Sequence, residues 1–180
     1  MKATGIVRRI DDLGRVVIPK EIRRTMRIRE GDPLEIYTDK DGEVIFKKYS
    51  PMGELSSFAT QICETLNKTT GRTAAVCDRD SVIAVSGTAR RELAEKRISH
   101  ELEQIIESRQ IYYCKERECN LPVSDDVERQ FISVAAPIIS EGDVSGCVIF
   151  AVSQGEECVG ETEYKLAQTV AGFLGKQMES

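Results

Sequence analysis

Seven arginines crowd into a short stretch: Arg8, Arg9, Arg15, Arg23, Arg24, Arg27 and Arg29. A guanidinium presents a planar fork of donors that grips phosphate oxygens or a guanine edge two at a time, which a lysine ammonium cannot do. If Lys20 to Arg27 is helical, then Lys20, Arg23 or Arg24, and Arg27 share one face, and Ile22 and Met26 lie on the other as anchors. The first 29 residues hold 9 Lys and Arg against 3 Asp and Glu, a net of +6. Residues 1–50 are net +3 and residues 51–180 net −8, within a chain whose formal charge is −5. A basic head on an acidic body points to a polyanion as partner for the head alone. The plainer alternative is a solvated helix face whose charges pair with Glu21, Asp11 and Asp12. Spacing alone leaves both readings open.

Sulfur is the second chemistry-bearing element. Six cysteines lie at 63, 77, 114, 119, 147 and 158, with a single histidine, His100. None forms Cys-x-x-Cys, and the chain is long enough to build a core without disulfides, so they read as small buried apolar residues in a reducing compartment. Cys114 and Cys119 carry one alternative. Lys115 and Arg117 lie between them, and nearby cations favour thiolate and hence reactivity, as in a thiol redox switch. His100, beside Ser99 and Glu101, reads as a surface residue on a polar helix face. No catalytic set, metal-ligand set or cofactor motif stands out. The expectation is therefore a non-enzyme with no cofactor and no metal. No apolar run approaches the roughly 20 residues that cross a bilayer, and the N-terminus has no apolar signal core, which predicts a cytoplasmic protein, nucleoid-associated if the polyanion is DNA.

These residues must be held by secondary structure that the pattern also predicts. Residues 5–10 and Arg15–Ile18 read as short strands around an Asp12-Leu13-Gly14 turn. Pro19 suits a first helical position, opening a helix from Lys20 to Arg27. Leu34–Tyr37 and Val44–Lys47 are two further strands joined by the Asp39-Lys40-Asp41-Gly42 turn, since Asp-Gly tolerates positive φ. Four short strands and one short helix bury too little surface to stand alone, and residues 1–50 contain no disulfide or metal staple, which predicts an obligate homodimer. Ser50-Pro51 marks a boundary: residues 1–50 form one domain, 51–54 a linker and 55–180 a second domain. In the second domain Leu55, Phe58, Ala59, Ile62 and Leu66 follow helical spacing. Strands are expected at 73–77, 82–86, 111–114, 131–139 and 145–152, a helix within 88–108, a polar loop over 115–128 and a last helix at about 161–178. The order α-β-β-α-β-β-β-α describes an antiparallel sheet flanked by helices, so the whole chain is α+β.

The run from Thr4 through Arg15-Val16-Val17-Ile18-Pro19 to Glu21-Ile22-Arg23-Arg24, continuing to Lys47-Lys48-Tyr49, resembles the AbrB-type swapped-hairpin DNA-binding domain. The resemblance covers residues 1–50 and implies a dimeric β-barrel in which two copies exchange hairpins. It also implies that Arg8, Arg15, Arg23 and Arg24 are the main contacts to double-stranded DNA at promoters. Arg9, Lys2 and Lys20 would add phosphate contacts, and recognition would tolerate many related sites through DNA shape. The C-terminal order of elements resembles a GAF domain over roughly residues 55–178, a fold of small-molecule sensors. By position, Val85, Ser86, Tyr112, Cys114 and Arg117 are the expected lining of an effector site; no ligand is named by the sequence. The full length is similar to a family of bacterial spore-development regulators that activate some genes and repress others. The first and last helices of the second domain, Leu55–Leu66 and Ala167–Met178, are expected to pair with another copy, giving a homotetramer. Two other classes are set against this reading. One is a GAF-type cysteine-dependent methionine sulfoxide reductase. The other is an antitoxin, because related hairpin modules bind toxins.

Overall fold

The computed structural model describes residues 4–50, 52 and 55–179. The chain splits into two compact units, Met1–Tyr49 and Ser50–Ser180.

In the first unit, helix α1 (Lys20–Thr25) follows Pro19, and strands β1 (Leu34–Thr38) and β2 (Val44–Lys48) pair antiparallel from Leu34↔Lys48 to Thr38↔Val44. α1 ends in a Schellman motif: the Ile28 amide donates to the Arg23 carbonyl (2.8 Å) and the Arg27 amide to the Arg24 carbonyl (3.3 Å). That motif needs a left-handed residue, and Arg27 supplies it at φ 51° where glycine is the usual choice. Lys48 Nζ then donates to the Arg27 carbonyl (2.9 Å), tying the helix end to β2.

Asp11–Arg15 and Asp39–Glu43 make the same turn. In each, the aspartate amide donates to the carbonyl four residues on (3.0 and 3.2 Å), and the glycine, at φ 75° or 82°, donates back to the aspartate carbonyl (2.9 and 3.4 Å). In each, the aspartate Oδ1 accepts the amides two and four residues ahead at 2.8–3.0 Å. Beyond the second turn a ladder forms. Beyond the first it does not, so the strands expected at 5–10 and 15–18 are absent from the single chain. The physical reason is exposure without the tie to the helix end that β2 has through Lys48. Val7 is 84% exposed, Ile10 69% and Val17 70%, so nothing apolar lies beneath these segments to hold them extended, and an unsupported hairpin is marginal in water. Among the described residues 4–49 none is buried.

The second unit is built on a five-stranded antiparallel sheet in the order β4-β3-β7-β6-β5. Its elements are α2 (Ser56–Thr70), β3 (Thr73–Cys77), β4 (Val82–Ser86), α3 (Arg90–Leu93), α4 (His100–Ser108), β5 (Tyr112–Tyr113), β6 (Gln130–Ser140), β7 (Asp143–Ser153) and α5 (Glu161–Gln177). β6 and β7 join through Glu141-Gly142, both at positive φ (49° and 85°), a two-residue turn whose twist matches the strands.

Alternate strand positions feed two cores. Ala74, Val76, Val148, Phe150 and Val152 pack with residues of α2 and α5, while Ala75, Cys77, Cys147, Ile149 and Ala151 pack with Leu93, Leu102 and Ile106. Two glycines permit close approach. A Cβ on Gly175 of α5 would collide with the Ile139 carbonyl oxygen of β6, and one on Gly146 would collide with the Cys77 carbonyl oxygen of β3.

The single helix expected within 88–108 is two helices. Ser99 breaks it, because its hydroxyl accepts the Leu102 amide (3.0 Å) as a cap for α4 and donates to the Pro122 carbonyl (2.6 Å). The segment between α3 and α4 runs alongside β4, the Val82 amide donating to the Lys96 carbonyl (2.8 Å).

Candidate nucleic-acid interface

Arg8, Arg9, Arg15, Lys20, Arg23 and Arg24 are all exposed. Lys2 lies outside the described residues. Arg8, Arg9 and Arg15 flank the first Asp-Gly turn. Arg15 Nε sits 3.8 Å from Asp11 Oδ2, a solvent-exposed pair that an incoming phosphate can replace at little cost. Arg23 and Arg24 lie in the last turn of α1, where the helix dipole favours cations. The turn and the helix end are therefore both rigid local structures that present guanidinium groups to solvent. Beside them the same unit exposes Ile6, Val7, Ile10, Leu13, Val16, Val17, Met26, Ile36, Tyr37, Val44, Phe46 and Tyr49. That is a large exposed apolar set for so small a unit.

The expected effector-lining residues are not brought together. Val85 and Ser86 end β4 at one edge of the sheet, and Tyr112 and Cys114 lie at β5 on the other. Four inter-strand steps at about 4.8 Å put these edges about 19 Å apart. Val85 and Cys114 also belong to opposite cores, and Arg117 is exposed on the loop after β5.

What does gather at the β5 edge is sulfur. The Cys114, Cys119 and Cys158 Sγ atoms all lie within 4.8 Å of one another. The Cys158 thiol meets the Cys114 sulfur at 3.5 Å, and the Cys114 thiol contacts the Glu118 carbonyl at 3.8 Å. Burial pushes the Cys114 thiol up, but hydrogen bonds from the Cys119 thiol, the Glu116 amide, the Cys158 thiol and the Tyr112 hydroxyl outweigh it and hold the group below its ordinary value. Burial raises Cys119 and Cys158 instead. Cys63, on the buried face of α2, is pushed up to about 12 by burial. Sequence spacing exposed the Cys114–Cys119 pair; nothing in it signalled Cys158, which is 44 residues from Cys114 along the chain.

Comparison with known proteins places this architecture. A family model described as "Stage V sporulation protein T C-terminal, transcription factor" matches residues 54–179. The chain is also 49% identical over 179 residues, 99% of each chain, to stage V sporulation protein T of Bacillus subtilis (strain 168). The chain belongs to the stage V sporulation protein T family. Its N-terminal unit is of the AbrB type. It is 65% identical over 51 residues to the transition state regulatory protein AbrB of the same organism, covering 28% of this chain and 52% of that one. A second model, described as "Antidote-toxin recognition MazE, bacterial antitoxin", matches residues 7–53. The C-terminal unit has a GAF-like fold. It is similar to the GAF domain of a phosphoenolpyruvate-protein phosphotransferase from Coxiella burnetii (12% identity, 69% of this chain and 82% of that one, TM-score 0.50). It is also similar to a type II free methionine-R-sulfoxide reductase from Thermoplasma acidophilum (10% identity, 71% and 94%, TM-score 0.52), a likeness of fold alone.

Proposed function

We propose that this chain is a DNA-binding transcriptional regulator, an activator at some sporulation genes and a repressor at others, that grips double-stranded DNA through paired N-terminal units. One observation carries the reading: residues 4–49 expose a cationic set and a large apolar set while burying nothing of their own. A second copy that exchanges hairpins covers Val7, Ile10, Val16 and Val17, lets residues 5–10 and 15–18 form strands, and sets two arginine clusters side by side. Arg8, Arg15, Arg23 and Arg24 are the main contacts, with Arg9, Lys2 and Lys20 on flanking phosphates. Membership of a family described as a transcription factor supports this, as does the AbrB-type unit.

The C-terminal unit assembles copies through α2 and α5, giving a homotetramer. Phe58 and Phe173 meet with ring centroids 5.9 Å apart and planes tilted by 51° between these helices, and Phe173 remains 49% exposed, an apolar surface suited to a matching helix pair. An effector held by the GAF-like unit would act by binding one spacing of the DNA heads better than another. A regulator accounts for both units. A reductase leaves the arginine-rich unit without a role, and an antitoxin leaves the GAF-like unit without one. A DNA-associated, cytoplasmic location follows from the function, and no helix among the described residues is long and apolar enough to cross a membrane.

The test is titration of the full chain onto a sporulation-promoter duplex, followed by fluorescence anisotropy at physiological salt. The Arg23→Ala and Arg24→Ala chains should each bind about 1–3 kcal/mol more weakly if the side chain reads a base edge. Unchanged binding by both would remove the contact assignment. Sedimentation of the full chain as a monomer at micromolar concentration would remove the assembly.

A further inference from the structure

The three-sulfur cluster at the β5 edge is independent of the DNA-binding unit, and its geometry suits a ligand. A tetrahedral zinc–thiolate centre has Zn–S bonds near 2.3 Å, which places its sulfurs about 3.8 Å apart. Here Sγ of Cys114 and Cys158 are 3.5 Å apart and all three sulfurs fall within 4.8 Å, so a cation bonds to all three after their separations change by no more than about 1 Å. The sulfurs come from three separate segments: the end of β5, the loop that follows it and the approach to α5.

Each segment is fixed by backbone bonds. The Cys114 amide donates to the Ser133 carbonyl (2.8 Å), and the Val159 amide donates to Ser133 Oγ (2.8 Å) beside Cys158. The Ile132 amide donates to the Leu121 carbonyl (2.7 Å) two residues after Cys119. Outer contacts of the kind that orient metal ligands are present as well: the Glu116 amide and the Tyr112 hydroxyl reach the Cys114 sulfur, and the Ser133 hydroxyl reaches Cys119 and Cys158. Cys114 and Cys119 are only 5% and 6% exposed, and the partly exposed Cys158 offers the way in.

We infer that Cys114, Cys119 and Cys158 form a binding site for a thiolate-seeking d10 cation, Zn(II) or Cu(I), that pins the start of α5 to the β5 edge and the loop between them. Sulfur-only donors select these cations over Mg(II), Ca(II) and Mn(II), which prefer oxygen. Three thiolates complete a trigonal Cu(I) centre. For Zn(II) they leave the fourth tetrahedral position to water or to the Ser133 hydroxyl. Each binding event displaces thiol protons to solvent and changes no oxidation state.

The experiment uses the full chain, reduced with a phosphine and stripped of metal. Zn(II) is titrated against a chromophoric chelator, and Cu(I) against its own indicator in a separate arm. One equivalent per chain is expected in at least one arm, with affinity falling at least 100-fold in Cys158→Ser and unchanged in Cys63→Ser. Cys158 is partly exposed, so that variant should fold, which circular dichroism checks. Co(II) added to the wild-type chain should give an intense sulfur-to-cobalt charge-transfer band in the near ultraviolet, absent from Cys158→Ser. Uptake that is equal in wild type and Cys158→Ser, no uptake in either arm, or a cobalt spectrum without the thiolate band would each overturn the site.

Discussion

Truncating Arg24 to alanine separates two ways in which an arginine can hold DNA. One copy presents six described cations in the proposed set, Arg8, Arg9, Arg15, Lys20, Arg23 and Arg24, and a paired assembly doubles them. If all met phosphates, the logarithm of affinity would fall with the logarithm of salt at a slope of about −11, since each neutralised phosphate contributes about −0.9. Arg24→Ala removes two such contacts from the pair and should flatten the slope by about 1.8. Between 50 and 200 mM salt, the mutant would then lose about 12-fold less affinity than wild type. An Arg24 that reads a base edge gives the other pattern: the slope stays put, and binding to the promoter weakens by about 1–3 kcal/mol per contact at every salt concentration. Fluorescence anisotropy on promoter and scrambled duplexes from 50 to 200 mM salt distinguishes them, with Lys68→Ala on the exposed side of α2 as a control that should change neither. If Arg24→Ala alters neither slope nor affinity, α1 does not face the duplex and the interface is misplaced. Arg15→Ala should flatten the slope by the same amount if Arg15 meets a phosphate, since its exposed pair with Asp11 is replaced at little cost.

Arg27→Gly should raise the unfolding free energy of the N-terminal unit by about 0.5–1 kcal/mol per chain, read by chemical unfolding, since it relieves the left-handed strain at φ 51° at the cost of some unfolded-state entropy. Gly175→Ala should destabilise the C-terminal unit by at least about 2 kcal/mol in thermal unfolding, because the added methyl meets the Ile139 backbone oxygen rather than a side chain that can move. Ser99→Ala should cost about 2 kcal/mol by the same measurement, from a lost cap together with an unpaired Pro122 carbonyl. Alkylation of the folded chain at pH 8, followed by mass spectrometry, should modify Cys158 first and leave Cys63 untouched: its pKa of about 12 leaves it almost wholly protonated, and it is buried on the core face of α2.

Local codes were legible in the sequence wherever the chain itself completes them. The Asp-Gly turns, Pro19 at the start of α1 and the strands β6 and β7 either side of Glu141-Gly142 all appear as read, because the groups they need lie within a few residues. The strands at 5–10 and 15–18 carry the right residue types and the right turn, yet the single chain leaves them unpaired. What they lack is a surface beneath them, and that is not encoded nearby. The helix expected within 88–108 failed for a related reason: its apolar spacing continues through Ser99, but Ser99 finds the Pro122 carbonyl, 23 residues away, and caps a new helix instead. The effector residues were chosen by position along the chain, whereas the sheet order carries β4 and β5 to opposite edges.

The two Asp-Gly turns together act as an internal experiment. Their hydrogen bonds agree to within 0.5 Å, so turn chemistry is constant, and only one hairpin closes. The β1–β2 hairpin is braced by the helix end through Lys48 and the Arg27 carbonyl; the Arg8–Arg15 segment has no such brace among the described residues. A turn therefore fixes where two strands would meet, and a brace decides whether they do. For the arginine-bearing hairpin the missing brace is apolar, since Val7, Ile10 and Val17 face solvent. DNA, whose grooves and phosphates are polar and anionic, cannot supply it. In the proposed pairing, the apolar residues that a second copy covers are the ones that let residues 5–10 and 15–18 form strands before the duplex is met.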